Sequence, residues 1–526
     1  MLLIVKLILA IVILSVSLFI TKVIFPPWSF PKNIPTIPFY VTFMTTFYDL
    51  DQEDIYRLYL KDKLEKYGAV KIYFGSRWNI LISKPEFLSI IFKKEDIFAK
   101  AGNHLKIPYS VLAEYTGENV ISAHGKIWKV FRNTVTRGLT VFDSEPLFKN
   151  AKIFTSLIYN KLEKATATTT KDTSSSLSSS YINILDGVNI TPQANIFMPE
   201  LIQRLTLANI SQIALGFDFG TLSQDNPPLH SQLKQVKAEI FQPLYLNFPF
   251  LDLLPIPNRI KARKNVLKFK QNVVNHVEKN LISNYNFEQT QFPSSDLIRA
   301  YRNDDITEKQ LTDNMMIMLI AGHENPQLLL TTTLYLLAKY HSTWQTKLRA
   351  ELFATDYYLL FNHDKKVSVL NSLPVLTTFI YESIRMYPPL SQIINRCTTQ
   401  KCMLGPNIVI PANAYVGYNV YGTGRSPQAW GKDANDFKPE RWGETIDDIT
   451  STWKHAKNSS IMSAFHGGRR ACLGEKLAFL EVKVTLAELL RSFEWELSDD
   501  WVEKMTPAGP LCPSNLKLKF KSIYGE

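Results

Sequence analysis

Cysteine is scarce in this chain of 526 residues, which has four cysteines and no pair spaced as CxxC. So few cysteines exclude a disulfide scaffold, and the missing CxxC pairs argue against a structural zinc ribbon. Dense runs of lysine or arginine are also missing, although the formal net charge is +11. Because nucleic-acid-binding tails concentrate their basic charge, we expect no nucleic-acid partner. One of the four cysteines becomes a candidate for chemistry of its own.

Apolar sequence is plentiful enough for a large core. Hydrophobic residues make up 45% of the chain and charged residues 20%, a balance typical of a folded protein. Most periodic segments are helical, with a hairpin signal at Gly75-Ser76 and a short strand pattern around Pro411. One low-complexity Ser/Thr-rich segment, residues 165–180, predicts a flexible, solvated insertion. We expect one large, mainly α domain with a small β subdomain.

The amino terminus carries a long hydrophobic run. Residues 2–25 are apolar apart from two lysines and three hydroxyl side chains. A helix of that length spans roughly 36 Å, enough to cross a hydrocarbon core. A cleaved signal peptide is the alternative, but apolar sequence continues beyond the small residues at 15–17. We predict a transmembrane anchor at 1–25, a stiff proline-rich neck at 26–40 and a catalytic body at 41–526.

The strongest motif is a glycine-rich loop, residues 465–475 (FHGGRRACLGE), which runs into a helical pattern. Cys472 lies where the loop enters the helix, so unpaired backbone N–H groups and the helix dipole favour its thiolate. Gly468 and Gly474 remove side chains where a flat group must approach the backbone, and Arg470 is available for an anion at its edge. A cysteine thiolate as the single axial ligand of haem meets these needs.

A structural cysteine after a glycine turn is the alternative interpretation of this loop. Five positions match a haem-thiolate loop together: Phe465, Gly468, Arg470, Cys472 and Gly474. With each at about one in twenty, on the order of 10⁻⁴ chance matches are expected in the chain. The chain therefore resembles the cytochrome P-450 family of haem-thiolate monooxygenases. This resemblance implies the cytochrome P-450 fold, preceded by one transmembrane helix, and haem b whose iron is axially ligated by Cys472.

Two motifs that contain arginine occur along the chain in the same order as in that family. Glu382 and Arg385 lie one turn apart in ESIR, and Arg441 lies in FKPERW. Alone, such a pair is usually a solvated surface contact. Together with the cysteine loop, the resemblance implies that these three residues form a buried ion-pair triad, which stabilises the core on the haem side.

Four further residues resemble the family's contacts to the haem propionates. Trp128 and Arg132 belong to WKVFR, which is similar to the family's WxxxR helix, and Arg396 follows a Pro-Pro pair. By this resemblance they surround the two propionate carboxylates together with Arg470, consistent with charge-assisted pairing. Arg396 has no local feature that distinguishes it from an arginine at the edge of a strand.

The longest helical pattern, opened by Thr307, contains AGHENP. It resembles the family's oxygen-binding segment, where an acid precedes threonine, but here Glu324 precedes Asn325. Gly322 would permit a groove over the haem, and Pro326 would free a carbonyl and kink the helix, although a mere packing kink is the alternative. We assign Glu324 and Asn325 to the catalytic site, with Glu324, ordered water or a phenolic substrate supplying protons.

Segments from FPKNIPTIPFY to TPAGPLCPSNLKLKF resemble the fungal N-formyltyrosine oxidase group of this family. The resemblance implies oxidative coupling of two N-formyl-L-tyrosine molecules to N,N'-bisformyl dityrosine for the spore wall. It also implies O2 and a separate NADPH-cytochrome P-450 reductase as partners. A general membrane-bound monooxygenase that hydroxylates a lipid or aromatic substrate is one alternative, and a haem-binding sensor without turnover is another.

The family's usual arrangement implies a single-pass membrane protein of the endoplasmic reticulum with a cytosolic body. Flanking lysines do not decide the orientation, and the sequons at Asn189, Asn209 and Asn458 would be modified only in a lumenal body.

Four histidine and lysine positions are candidates for ligand contacts. His104 or Lys106 could bind a tyrosine carboxylate, although a solvated loop position is the alternative. His323 and His466 lack the spaced partners of metal ligands, so packing or surface roles are expected.

Overall fold

The computed structural model describes residues 2–176, 193–284 and 290–523. Helices dominate it, and those of eight or more residues are α1 Leu2–Phe19, α2 Pro85–Lys93, α3 Gly125–Thr140, α4 Glu145–Ser176, α5 Met198–Ile210, α6 Pro228–Ile240, α7 Pro257–Asn284, α8 Pro293–Arg302, α9 Glu308–Lys339, α10 His341–Phe353, α11 His363–Ser372, α12 Pro374–Met386, α13 Ile446–Asn458 and α14 Glu475–Ser492. Shorter α-helices are Met44–Phe47, Gln52–Ile55, Lys61–Tyr67, Asn103–Lys106, Val111–Thr116, Pro243–Asn247, Val420–Gly424 and Pro427–Trp430.

The strands of the described residues are few and short. They are β1 Ala69–Tyr73, β2 Trp78–Ile82, β3 Phe98–Lys100, β4 Gln193–Phe197, β5 Gln392–Thr398, β6 Cys402–Leu404, β7 Ile408–Ile410, β8 Tyr415–Asn419, β9 Phe493–Leu497 and β10 Lys517–Ser522. They form three sheets, ordered β1-β2-β8-β5-β3, β4-β10-β9 and β6-β7. The only parallel pair among them is β2 with β8. The mainly α fold with a small β part is therefore as predicted.

The predicted hairpin joins β1 to β2. Tyr73 stands opposite Trp78 in the antiparallel register, and Gly75 and Ser76 both have φ of +59° at the tip. Two successive residues with positive φ match the right-handed twist of the strands, which is why a glycine followed by a small polar residue occurs here.

The central helix α9 passes through the middle of the body. The backbone N–H of Gln310 donates to Thr307 Oγ1 at 3.2 Å, and the N–H of Thr307 donates to Gln310 Oε1 at 3.0 Å, which fixes the predicted start. Most of its residues are buried because α5, α7, α8 and α14 pack around it. The helix continues through Pro326 to Lys339, since tertiary packing on all sides stabilises it despite the lost backbone donor.

One helix of the described residues is long and apolar enough to span a membrane by itself. It covers Ile4–Ile24, has a mean hydropathy of 2.7 and is not buried against the rest of the chain. The neck that follows is bound to the body. Phe30 and Ile34 are buried, and the N–H of Lys71 in β1 donates to Pro35 O at 2.9 Å. The proline-rich segment therefore lies along the edge of the largest sheet.

The Ser/Thr-rich segment, predicted as a flexible, solvated insertion, begins within a helix. Helix α4 extends to Ser176, so residues 165–176 are helical, while residues 177–180 lie outside the described residues. The earlier turns of α4 bury Phe154, Ile158 and Leu162. Once packing has nucleated a helix, each added residue costs little, which explains the extension.

Candidate haem-thiolate site

The cysteine loop is a tight structure between α13 and α14. The backbone N–H of Cys472 donates to Phe465 O at 3.0 Å, closing the loop, and a short 3-10 turn spans Gly468–Arg470. His466 and Gly468 have φ of +62° and +61°, so the loop uses left-handed conformations to reverse direction. Helix α14 begins at Glu475, three residues after the cysteine.

The two loop glycines predicted to admit a flat group have different neighbours. A Cβ on Gly468 would lie 2.9 Å from Phe92 O, so helix α2 is what requires glycine at that position. The approach of a flat cofactor to Gly468 stays a prediction. A Cβ on Gly474 would lie 3.9 Å from Cys472 Sγ, so glycine there leaves open space beside the sulfur.

The Cys472 side chain is exposed, and the protein around the loop partly desolvates its sulfur. That desolvation raises the pKa of the Cys472 thiol, against a lowering by the backbone N–H of Gly474. A metal ion such as iron bonded to the sulfur would favour the thiolate.

The four predicted propionate contacts lie together beside this loop. The Arg470 guanidinium lies 3.7 Å from the ring centroid of Trp128, and Arg132 Nη1 donates to Ala471 O at 3.2 Å. Arg396, on β5, is 1% exposed and donates from Nη1 to Phe98 O at 2.9 Å. Strand β5, helix α3 and the cysteine loop thus bring these residues to one place.

Several donors of this cluster have no protein acceptor. Nε and Nη2 of Arg396 and Nη2 of Arg470 are buried without a hydrogen-bond partner. An unsatisfied buried guanidinium N–H is costly, so these groups indicate an anionic partner that is not part of the described chain.

The predicted triad is assembled around the Glu382 carboxylate. Arg385 donates to both carboxylate oxygens, from Nη2 at 2.7 Å and from Nε at 2.8 Å, and Arg441 Nε donates at 2.9 Å. The indole Nε1 of Trp442 and the backbone N–H of Lys438 add bonds at 3.1 Å and 2.9 Å. Every carboxylate lone pair is used, which is the condition under which a buried ion pair is tolerated.

The AGHENP segment of α9 turns its acid toward α6. Glu324 Oε1 lies 2.8 Å from Lys237 Nζ and 3.9 Å from His323 Nε2. The side chain of Asn325 donates from Nδ2 to Ala321 O at 3.3 Å, within its own helix.

The glycine of this segment also has a role in helix packing. A Cβ on Gly322 would lie 2.3 Å from the side chain of Ile210 on α5. Glycine at this position therefore allows two helices to approach closely, and a groove over the haem stays a prediction.

The two histidines weighed as metal ligands are structural, as expected. His323 is fully buried, its Nδ1 hydrogen bonds to Leu319 O at 2.6 Å, and burial lowers its pKa to about 4. His466 Nδ1 hydrogen bonds to the hydroxyl of Tyr418. Within the described residues, no group of three or more His, Cys, Asp or Glu side chains could hold a metal ion.

Comparison with protein families matches residues 35–520 to the cytochrome P450 family. The chain is a cytochrome P450. Cytochrome P450-DIT2 of Saccharomyces cerevisiae is 53% identical over 521 residues, or 99% of both chains. Cytochrome P450 monooxygenase xanG of Aspergillus fumigatus is 33% identical over 502 residues, covering 93% of this chain and 87% of that one. The family implies a haem-thiolate cofactor, O2 and a redox partner.

The residues of this P450 fit the propionate edge of a haem. Three buried basic side chains, Lys100, Arg396 and Arg470, lie near the buried acid Glu95, which accepts a hydrogen bond from Arg470 Nε. The excess positive charge, together with the unpartnered arginine donors, suits two propionate carboxylates.

Lys100 and Glu95 were missed by the sequence reasoning. Lys100 faces Arg396 across the register of β3 and β5, and burial together with the charges of Arg396 and Arg470 lowers its pKa well below the usual value. The available signal was a lysine inside the short apolar strand FAK. Neither residue belongs to a motif, because their roles depend on pairing between distant segments.

Proposed function

We propose that this P450 couples two N-formyl-L-tyrosine molecules to N,N'-bisformyl dityrosine, a precursor of a spore or cell wall. The observation that carries the proposal is the 53% identity to cytochrome P450-DIT2 over 99% of both chains. It agrees with the resemblance of this chain to the fungal N-formyltyrosine oxidases. The proposal assigns an oxidase role in which no oxygen atom enters the product.

Cys472 would hold haem b through its sulfur, while Trp128, Arg132, Arg396 and Arg470 would bind the propionates. Bound there, the haem supplies the activation of O2 and the removal of electrons from a phenol. The protein positions the cofactor through the closed loop, in which Cys472 N–H bonds to Phe465 O. Gly474 leaves the sulfur accessible on one side.

Proton delivery is assigned to Glu324, the carboxylate of the AGHENP segment. In this chain the adjacent Asn325 has no hydroxyl to relay a proton, and its amide is bonded to Ala321 O. Glu324 lies on a partly exposed path through Lys237, so it can exchange protons with solvent. Asn325 would orient water from its remaining amide groups.

The overall reaction balances with one O2 for each coupled pair. Each phenol loses one hydrogen atom, and a carbon–carbon bond forms between the rings ortho to the hydroxyl groups. The two electrons and two protons released, with two electrons from a reductase and two protons from solvent, reduce O2 to two waters. The chain must therefore hold two rings in contact and exclude water from the radicals.

We assign the electrons to NADPH-cytochrome P-450 reductase and the location to the endoplasmic reticulum, with the anchor in the bilayer and the body in the cytosol. Lys126, Lys129 and Arg469 are exposed around the cysteine loop, which suits docking of an acidic partner. Asn209 is 3% exposed and its side chain is bonded to Glu481, so this sequon is unsuited to glycosylation.

Product analysis tests this function directly. The purified full-length enzyme with a reductase should convert N-formyl-L-tyrosine to a product with dityrosine fluorescence and the mass of two substrates less two hydrogens. A catechol that has gained one oxygen would instead establish the monooxygenase alternative. As a ligand control, Cys472→Ser should abolish the carbon monoxide difference band typical of thiolate-ligated haem, whereas Cys512→Ser should retain it.

A further inference from the structure

A pair of basic side chains, distinct from the predicted propionate contacts, lies near the tip of the β1–β2 hairpin. The Arg77 guanidinium and the Lys106 ammonium both lie over the ring of Tyr415, at 4.6 Å and 5.4 Å from its centroid. Lys106 Nζ is 3.6 Å from where a Cβ on Gly75 would stand, so the lysine lies against the tip of the hairpin. Arg77 also donates to the backbone carbonyl of Lys106, which ties the hairpin to the helix Asn103–Lys106.

This pair is separate from the propionate cluster. Arg77 lies near Cys397 of β5, whose pKa its charge lowers in opposition to burial, and Cys397 follows Arg396 in that strand. Because successive side chains of a strand point to opposite faces, the two groups of cations lie on opposite faces of β5. A haem held by Arg396 therefore does not neutralise Arg77 and Lys106.

Neither cation has an acidic partner. Across residues 2–176, 193–284 and 290–523, no carboxylate forms an ion pair with Arg77 or Lys106, and Arg77 Nε is buried with no hydrogen-bond partner. Burial and the charge of Arg77 lower the pKa of Lys106 to about 7. Two partly buried cations close together repel one another, and an anion between them would relieve both the repulsion and the unsatisfied donor.

A cavity lined in part by aromatic side chains shares Phe74 with the surroundings of this pair. Its volume is about 290 Å³, at the lower end for small-molecule sites, and Tyr56, Tyr73, Phe74 and Tyr421 are among the side chains that line it. Its other walls include residues 390–392 and 507–510. The centroid of the Phe74 ring lies 5.9 Å from Lys106 Nζ, so this ring connects the cavity to the cations.

We propose that Arg77 and Lys106 bind the carboxylate of an N-acylated tyrosine whose ring enters this cavity. An aromatic monocarboxylate matches both features, because its anion meets two unpaired cations while its ring is removed from water. The inference rests on the proposed function and adds to it a recognition site for the substrate carboxylate. Coupling consumes two molecules, each with one carboxylate, and this site would hold one of them.

Equilibrium dialysis with the full-length, haem-loaded enzyme in detergent tests the site. N-formyl-L-tyrosine should bind about ten- to a hundredfold more tightly than N-formyltyramine, which lacks only the carboxylate. Lys106→Met should bring this ratio close to one while leaving N-formyltyramine binding unchanged. Arg77→Lys should keep most of the preference, and Lys94→Met, at an exposed position, should keep all of it.

Three outcomes would overturn the site. An unchanged ratio in both Lys106→Met and Arg77→Gln, with thermal midpoints equal to wild type, would reject it while leaving the proposed function intact. Wild-type enzyme that binds neither ligand would reject the proposed function together with the site. Weaker binding of both variants to phosphatidylserine vesicles, with an unchanged carboxylate preference, would assign the cations to lipid phosphate instead.

Discussion

The Lys237 ammonium lies 2.8 Å from the Glu324 carboxylate, and this ion pair joins α6 to α9. It holds the only carboxylate of the AGHENP segment against a helix other than its own. His323 Nε2 lies 3.9 Å from the same oxygen and has no hydrogen-bond partner. Glu324 is therefore the side chain of this segment with both a charge and a route to solvent.

If Glu324 delivers protons, its amide variant should lose turnover without losing substrate binding. We expect Glu324→Gln to lower the rate of product formation about 100-fold, because an amide cannot donate and recover a proton as a carboxylic acid does. Product and hydrogen peroxide formed per NADPH consumed would measure the change. Glu200→Gln, which removes another lysine-paired carboxylate on α5, should leave both ratios unchanged. Equal effects of the two substitutions would refute the assignment.

Disrupting the buried triad is expected to cause a large loss of stability. Glu382→Gln removes the negative charge from two arginines while they stay enclosed, which typically costs about 3–5 kcal/mol in the free energy of unfolding. Glu440→Gln is the matched control, because Glu440 pairs with Lys347 at the surface next to Arg441 and should change stability by about 1 kcal/mol or less. Urea titration of both variants measures the difference, and similar midpoints would contradict it.

Haem retention should depend on the unpartnered donors of Arg396. We expect Arg396→Met to speed the transfer of haem to a scavenging protein by about ten- to a hundredfold, since charge-assisted hydrogen bonds to a propionate are lost. Arg204→Met provides a comparison, because it removes another buried arginine. Arg204 lies on α5, and its Nε donates to Thr221 O at 2.6 Å. Transfer at an equal rate in both variants would show that Arg396 does not contact the haem.

Buried His323 predicts a loss of stability in acid. Its pKa is about 4 in the folded chain, below the value of about 6.5 for an unfolded histidine. As the pH falls, the unfolded chain therefore binds a proton before the folded chain does. The contribution of neutral His323 to the free energy of unfolding is present above pH 6.5 and is lost as the pH falls toward 4. Between pH 7.5 and 5.0 the loss from this group is about 2 kcal/mol.

Chemical denaturation at these two pH values would test that figure. His323→Gln should reduce the difference in unfolding free energy by about 2 kcal/mol, whereas His276→Gln, on the exposed side of α7, should not. A pH dependence that is the same in wild type and His323→Gln would mean that the imidazole is not neutral in the folded state.

Contiguous motifs predicted most of what the site contains. The cysteine loop, ESIR and AGHENP each carry their residues within a few positions, so their resemblance to motifs of the cytochrome P-450 family pointed to Cys472, Glu382 and Glu324. The partners Lys100 and Lys237 come from a strand and a helix far away in the chain. No local pattern marks them, because pairing across sheets and helices places them.

The protein neighbours of the glycines were not predicted from the sequence. A glycine in a motif indicates a close approach, but it does not identify the approaching group. Gly322 faces Ile210 and Gly468 faces Phe92 O, so packing between distant segments also favours glycine at both positions. The end of α4 was missed for a related reason, since Ser and Thr have weak helix propensity that an already packed helix overrides.

The attachment of the neck limits how the body can move beside a membrane. The apolar helix ends at Ile24 and Phe30 is already in the core, so only residues 25–29 are left to bridge them, roughly 17 Å at full extension. If the apolar helix is anchored in a bilayer, so short a tether would hold the body at a nearly constant height and tilt above it. If the proposed reductase is anchored in the same membrane, their encounter would be a search in two dimensions, in which surface density and not bulk concentration sets the rate.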